Sequence, residues 1–192
     1  TEEEVDLSDE GNIEVTENVE TAEEVENTET AEVVEPDETD KIIVINLTTR
    51  DLVSEFTYDE EFALDVRFVD NESVAVSVVD FEEETSAIIS SKLICFNTSI
   101  NEIKWIYKND KECLENIKQG YDERNLIFVQ TANSVIALST VDGEVKAEMD
   151  FGEEVSNYQI SNDNESCFGL LRNGKIMYYG VFSDILYTIY EG

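Results

Sequence analysis

The segment from Lys41 to Phe56 reads Lys-Ile-Ile-Val-Ile-Asn-Leu-Thr-Thr-Arg-Asp-Leu-Val-Ser-Glu-Phe. An apolar run is followed by a short polar turn and then by alternating apolar and polar residues, a pattern typical of a β-hairpin. The same pattern returns in segments 93–107, 135–149 and 176–190, at offsets of 51, 42 and 41 residues. The chain is therefore built on a repeated strand pair.

The four copies align at two apolar positions and at the turn between them. The first position is occupied by Ile45, Phe96, Leu138 and Tyr179, and the second by Leu52, Ile103, Val145 and Leu186. In the third copy the turn contains Asp142-Gly143, a strong hairpin signal because both residue types tolerate positive φ.

Two further strands precede each of the later hairpins, and a polar turn separates them. These turns, 70–73, 122–125 and 163–166, align with one another. The first hairpin, with strands 42–47 and 51–57, has no such preceding pair. The expected strands of the three full repeats are 62–69, 74–79, 88–97 and 102–108, then 113–119, 125–131, 134–140 and 144–150, then 155–160, 166–171, 175–181 and 184–190.

Four short antiparallel strands per repeat, with a period of about 40 to 45 residues, predict an all-β fold of propeller blades. The boundaries give a half blade at 41–57 and full blades at 58–110, 111–151 and 152–192. A simple sandwich is the alternative, but it would not need equal offsets at equivalent turns. Closed propellers have about four to eight blades, so we expect the remaining blades from a longer parent chain, since this one begins at Thr1, or from a second copy.

The run from Ile160 through the turn 163–166 to Ile176 resembles the WD40 repeat from its first strand to its third, and the resemblance covers residues 41 to 192. The hairpin Val135 to Met149 is also similar to quinoprotein-like propeller repeats. The Trp-Asp pair of the WD40 family would fall at Ile45-Asn46 and its equivalents, where neither residue is kept, and the chain contains no histidine. The resemblance implies a propeller that presents surfaces to other proteins, and both subfamilies stay open.

The first part of the chain has a different composition. Residues 1–40 hold 18 acidic residues, no Lys or Arg, no aromatic residue and the only proline, Pro36. Such a segment buries too little apolar surface to offset chain entropy, so we expect it to be disordered or to be a loop insertion between the second and third strands of a blade.

Charge excludes several classes of partner. Residues 41–192 contain 28 acids and 12 bases, a net charge of −16. Nucleic acid and anionic membranes need Lys or Arg, so neither is expected as a partner. No apolar run approaches the roughly 20 residues of a membrane helix. No signal-peptide pattern is present. Because the chain begins at Thr1, a signal further upstream stays open, and the localisation is left unknown with only a weak lean to the cytoplasm.

Catalytic chemistry is not expected. Without histidine the usual general base is missing, and no nucleophile, base and orienting group stand out together. The cysteines, Cys95, Cys113 and Cys167, are odd in number and lack metal-site spacing, so we expect buried free thiols. The Asp-Asn-Glu turns lack the spacing of a calcium loop and are interpreted as turn formers. No cofactor or metal is expected.

The remaining hypothesis is a non-catalytic protein-interaction scaffold, and the alternative is a ligand-sensing or enzyme-associated quinoprotein-like propeller domain. The insertion Glu82-Glu83-Glu84 would steer a basic protein partner to one face. Trp105 is a further candidate contact because Trp is common at binding hot spots. Its alternation with Ile103 and Tyr107 also fits packing between blades.

Overall fold

A computed structural model describes residues 40–58, 62–82, 84–121 and 124–192. The chain divides between Pro36 and Asp37, and everything described below belongs to the second unit, Asp37–Gly192. The expected disorder of residues 1–40 concerns a segment that lies outside the described residues except for Asp40. No helix in the described part of the chain is long and apolar enough to cross a membrane.

The regular structure of the described residues is antiparallel β-sheet. The strands are β1 (Asp40–Ile45), β2 (Leu52–Tyr58), β3 (Phe62–Phe68), β4 (Ser73–Phe81), β5 (Ile88–Asn97), β6 (Glu102–Asn109), β7 (Glu115–Gln119), β8 (Leu126–Gln130), β9 (Ser134–Ser139), β10 (Val145–Asp150), β11 (Val155–Ile160), β12 (Ser166–Leu171), β13 (Ile176–Gly180) and β14 (Ile185–Tyr190).

The strands form one two-stranded sheet, β1–β2, and three four-stranded sheets, β3–β6, β7–β10 and β11–β14. Within each sheet, neighbours in sequence are neighbours in space. The predicted repeat of four antiparallel strands is confirmed. β7 begins two residues later than expected, because the backbone of Leu114 is hydrogen-bonded to the preceding sheet and not to β8. The Leu114 N–H donates to Ser91 Oγ at 3.0 Å, and the Leu114 carbonyl accepts from Ser77 Oγ.

The hairpin register shows that the repeat is structural. The aligned apolar positions are Cα partners in every copy: Ile45 with Leu52, Phe96 with Ile103, Leu138 with Val145, and Tyr179 with Leu186. The residue two places before the second partner always has a left-handed backbone: Arg50, Asn101, Gly143 and Asp184, with φ between 54° and 74°. One turn geometry therefore sets the register of all four hairpins.

The core consists of three apolar layers, one between each pair of successive sheets. We call the side of a sheet that faces the next sheet in the chain its forward face, and the opposite side its backward face. In the sheet β7–β10, Phe128 and Ala137 lie on the forward face, and Ile127 and Leu138 lie on the backward face. Both faces of the sheet β7–β10 are thus covered, and so are both faces of the sheet β3–β6 except at β3, where Val66 and Phe68 are exposed.

Side chains also join the first strands of successive sheets. The Ile117 N–H donates to Asp65 Oδ2 at 2.7 Å, which ties β7 to β3. The Tyr158 hydroxyl lies 2.8 Å from the Asn116 carbonyl oxygen and 3.0 Å from the Phe128 carbonyl oxygen and donates to them. These bonds tie β11 to β7 and β8. The first strands therefore lie near one another.

The two outermost faces carry apolar side chains in contact with solvent. Ile43 and Ile45, both 52% exposed, lie on the backward face of the sheet β1–β2, and Tyr187, 51% exposed, lies on the forward face of β11–β14. Tyr178 on the same face is half-buried, because its ring stacks on that of Tyr187 with centroids 4.6 Å apart.

Candidate interaction surface

The β4–β5 hairpin is longer than its counterparts and carries part of the predicted acidic site at its tip. β4 and β5 have nine and ten residues, whereas β8 and β9 have five and six. At about 3.3 Å per residue, four extra residues extend each strand by about 13 Å. The chain segment around Glu82 therefore lies at the end of a projecting hairpin.

Backbone hydrogen bonds close this tip into a compact turn. The Glu82 N–H donates to the Ala87 carbonyl, and the Ser86 N–H donates to the Glu82 carbonyl, both at 2.8 Å. Ser86 adopts the left-handed conformation, with φ of 56°. The Thr85 hydroxyl donates to the Glu82 carboxylate. Glu82 and Glu84 are exposed, and Glu83 lies outside the described residues.

Apolar side chains accompany the carboxylates. Phe62 is 60% exposed and Ile89 is 54% exposed. The half-buried ring of Phe81 lies with its centroid 6.1 Å from that of Phe62. We call Phe62, Phe81, Glu82, Glu84 and Ile89 the hairpin tip. An aromatic pair beside exposed carboxylates can bind a surface that offers both apolar groups and cations.

A cleft of about 430 Å³ lies at the same end of the neighbouring sheet. It is lined by the connection 109–112, the turn 131–134 and the ends of β6 and β10. In a sheet whose strands follow chain order, the turn between the second and third strands and the connection to the next sheet leave at one end. Four carboxylates line the cleft: Asp110, Glu112, Glu148 and Asp150. The pKa of Tyr107 there is raised by burial and by the charge of Glu148.

Trp105 lies away from the hairpin tip and is buried between two sheets, with 7% of its surface exposed. Its indole N–H donates to the Thr140 carbonyl at 3.0 Å. A Cβ added to Gly143 would come within 2.8 Å of the ring, so the ring packs directly on this turn. This turn joins β9 and β10, the third and fourth strands of their sheet. The hairpin tip joins the second and third strands of the sheet β3–β6, and such turns lie at the opposite end of a sheet from the turn between the third and fourth strands. The structure therefore does not bring Trp105 together with Glu82 and Glu84, and its alternation within β6 was the signal for this packing.

The cysteines are free, and two of them are buried. Burial raises the pKa of the Cys95 thiol to about 11 and that of Cys167 to about 12. Burial also raises the pKa of the half-buried Cys113. At neutral pH these groups are protonated, and the thiolate is the nucleophilic form. Among the described residues, no group of three or more Asp, Glu or Cys side chains is placed to hold a metal ion.

A polar cluster on the first strands was missed by sequence reasoning. The ammonium group of Lys118 lies 4.4 Å from the centroid of the Tyr158 ring and 3.3 Å from both Asn157 Oδ1 and Gln159 Oε1. Asn116 Nδ2 donates to the same Asn157 oxygen at 3.2 Å. The polar residues that alternate along β7 and β11 could have indicated this cluster from the sequence. Comparison with known proteins adds no assignment, since no protein-family model and no curated protein matches the chain.

Proposed function

We propose that the chain is a non-catalytic protein-interaction scaffold of the propeller type, built from WD40-like or quinoprotein-like repeats, and that the hairpin tip is its binding site for a basic protein partner. The observation that carries the proposal is that the exposed Phe62 ring and the half-buried Phe81 ring lie beside the exposed residues Glu82 and Glu84. The apolar rings supply contact area, and the carboxylates steer cationic partners.

The propeller architecture is supported by the way the sheets stack. A sandwich buries one face of each sheet, whereas the two central strands of the sheets β3–β6 and β7–β10 are covered on both faces. Blades of a propeller stack in sequence about an axis with their first strands innermost. The bonds from Asp65 to Ile117 and from Tyr158 to Asn116 join first strands in this manner.

The non-catalytic part of the proposal rests on the absence of histidine from the chain and on the protonated state of the cysteine thiols. The cleft lined by four carboxylates together with Lys108 and Lys111 is the observation that favours the alternative, a ligand-sensing or enzyme-associated propeller domain. Small-molecule sites are usually more apolar than this cleft, so the scaffold is the better-supported function.

Selection of peptides from a random displayed library on the immobilised chain tests the proposal. We expect enriched peptides to contain Lys or Arg next to aromatic or aliphatic residues. Their association should slow at high salt, because exposed charges are screened beyond about 8–10 Å near physiological ionic strength. Enrichment of peptides without basic residues would reject the tip as a site for cationic partners.

Variants locate the binding of the selected peptides. Changing Glu82→Gln and Glu84→Gln together should reduce the association rate more than it raises the dissociation rate. Phe62→Ser should raise the dissociation rate. The matched controls are Glu102→Gln and Ile100→Ser, which change exposed residues at the opposite end of the same sheet. Equal binding by tip and control variants would contradict the proposed site.

A further inference from the structure

One position in the last strand of each sheet faces the next sheet. It is occupied by Ser54, Trp105, Ala147 and Tyr187, since each is the Cα partner of the residue just before the aligned apolar position: Val44, Cys95, Ala137 and Tyr178. In two copies this residue reaches the hairpin turn of the next sheet. Ser54 Oγ donates to Asn101 Oδ1 at 2.7 Å, and the Trp105 indole donates to the Thr140 carbonyl at 3.0 Å.

Tyr187 is the copy of this position that has no turn to contact. Within the described residues no sheet follows β14. The ring is 51% exposed and stacks on Tyr178, which in turn meets the edge of Phe168 at a centroid distance of 5.6 Å. Leu170 and Ile176 extend this surface. The forward face of β11–β14 is thus an aromatic surface with the same layout as forward faces that are buried elsewhere in the chain.

The complementary surface is exposed on the same chain. Ile45 occupies the position of Phe96, Leu138 and Tyr179, which fill the three interfaces and are 4%, 0% and 7% exposed, whereas Ile45 is 52% exposed. Ile43 and Leu52 lie beside it on the backward face of β1–β2, and the Lys41–Glu55 ion pair at 2.8 Å borders them. Each chain therefore carries both halves of an interface that it forms three times internally.

We infer that a second copy of this chain covers these faces: the forward face of β11–β14 in one copy packs on the backward face of β1–β2 in the other, with Tyr187 against the turn 46–51. Two such contacts close a ring of two chains, each with three four-stranded sheets and one two-stranded half blade. The ring then has eight blade positions, two of them filled by half blades, within the four to eight blades of closed propellers. Aromatic side chains bury about 150–250 Å² each, so Tyr178 and Tyr187 would contribute apolar area to each contact. The inference rests on the proposed propeller stacking and is independent of the hairpin tip.

Sedimentation of the 192-residue chain and of two face variants tests this inference. We expect the wild-type chain to sediment at twice its mass of 21.8 kDa. Tyr187→Glu and Ile43→Glu should each sediment as monomers, because each places a charge in an apolar interface. Ile100→Glu, at an exposed turn residue outside both faces, should remain a dimer. A wild-type monomer at the highest usable concentration would overturn the inference, and would point to a further sheet of a longer chain as the occupant.

Mixing the two variants identifies which faces meet. Tyr187→Glu keeps its backward face and Ile43→Glu keeps its forward face, so the mixture should form a one-to-one heterodimer through a single contact. If Ile43→Glu alone dimerises as strongly as wild type, forward faces pair with each other and the inference is wrong.

A photo-crosslinking residue at position 187 tests the same contact without introducing a charge into the interface. Crosslinks to residues 41–58 of the other copy support the inference, and crosslinks to residues 166–190 overturn it.

Discussion

At the scale of single residues, substitutions at two glycines distinguish the cost of backbone strain from the cost of a side-chain clash. Gly143 and Gly152 both have left-handed backbones, with φ of 74° and 71°. A Cβ at Gly143 would meet the Trp105 ring at 2.8 Å, whereas a Cβ at Gly152 would meet nothing within 4 Å. The pair therefore reports how closely one sheet packs on the turn of the next.

We predict that Gly152→Ala costs about 1–2 kcal/mol, the usual penalty of a left-handed conformation. Gly143→Ala should cost at least about 1 kcal/mol more, because the Trp105 ring must also move out of its packed position. Chemical denaturation of both variants measures the difference. Equal losses of stability would show that Trp105 does not pack on Gly143 as described.

The thiol of Cys167 predicts an alkaline dependence of stability. Its pKa is raised from 9.0 to about 12, chiefly by burial, so between these values the folded state binds the proton more tightly than the unfolded state does. The protonated Cys167 thiol therefore contributes its full share to the free energy of unfolding below about pH 9. This contribution is lost as pH rises toward 12, by at most about 1.4 kcal/mol per pH unit. Cys167→Ala should show a smaller decline of unfolding free energy over this window. An unchanged decline would contradict the assigned burial.

At the scale of elements, the third and fourth strands could be predicted from sequence, and the turns before them could not. Ile45, Phe96, Leu138 and Tyr179 align in sequence and take the same place in their hairpins. Aligning the polar turns, in contrast, put Leu126 in the position of Val74 and Cys167. The structure places Ile127 there, since it pairs with Gln119 as Val74 pairs with Phe68. Alternation along the strand fixes which side chain faces the core, whereas turn length varies freely.

At the candidate site, too, one part could be predicted from the sequence and another part could not. The acidic turn at Glu82 was predicted because ten extra residues stand out against the repeat. The exposed Phe62 and the half-buried Phe81 beside it were not, because Phe62 alternates with apolar residues along its strand, which predicts a core position, and Phe81 lies outside the expected strand 74–79. Trp105 was proposed as a contact and is buried, since burial of a side chain between sheets depends on the neighbouring sheet as well as its own strand.

The projecting part of the β4–β5 hairpin should be dispensable for folding. Replacing residues 81–89 with Asn-Gly would shorten the hairpin to a two-residue turn after the Asp80–Ser90 pair. The apolar layers contain none of the removed residues, so the free energy of unfolding should change by no more than about 1 kcal/mol. Circular dichroism during denaturation measures this, and the shortened chain should lose the peptide binding proposed for the tip. Global unfolding would show that the hairpin stabilises the fold.

At the scale of the whole molecule, one interface is repeated from sheet to sheet. The same fourth-strand position, the same left-handed turn residue and the same facing apolar pair recur along the chain. A repeated contact with constant geometry relates successive sheets by a constant rotation and translation. If the rotation axis runs along the first strands, the sheets lie on an arc, as propeller blades do. If the rotation is negligible, they form a straight stack.

Spin-label distances distinguish these arrangements most directly. Thr48, Ser99, Val141 and Phe182 are exposed and hold the same place in the four hairpin turns. With the native cysteines replaced by Ala, the Thr48–Phe182 distance is compared with the Ser99–Val141 distance by pulsed electron double resonance. Chord geometry for four to eight blades about a common axis gives a ratio between about 1 and 2.4, which is the result we predict. A ratio near 3, as roughly expected for sheets in a straight repeat array, would contradict the propeller.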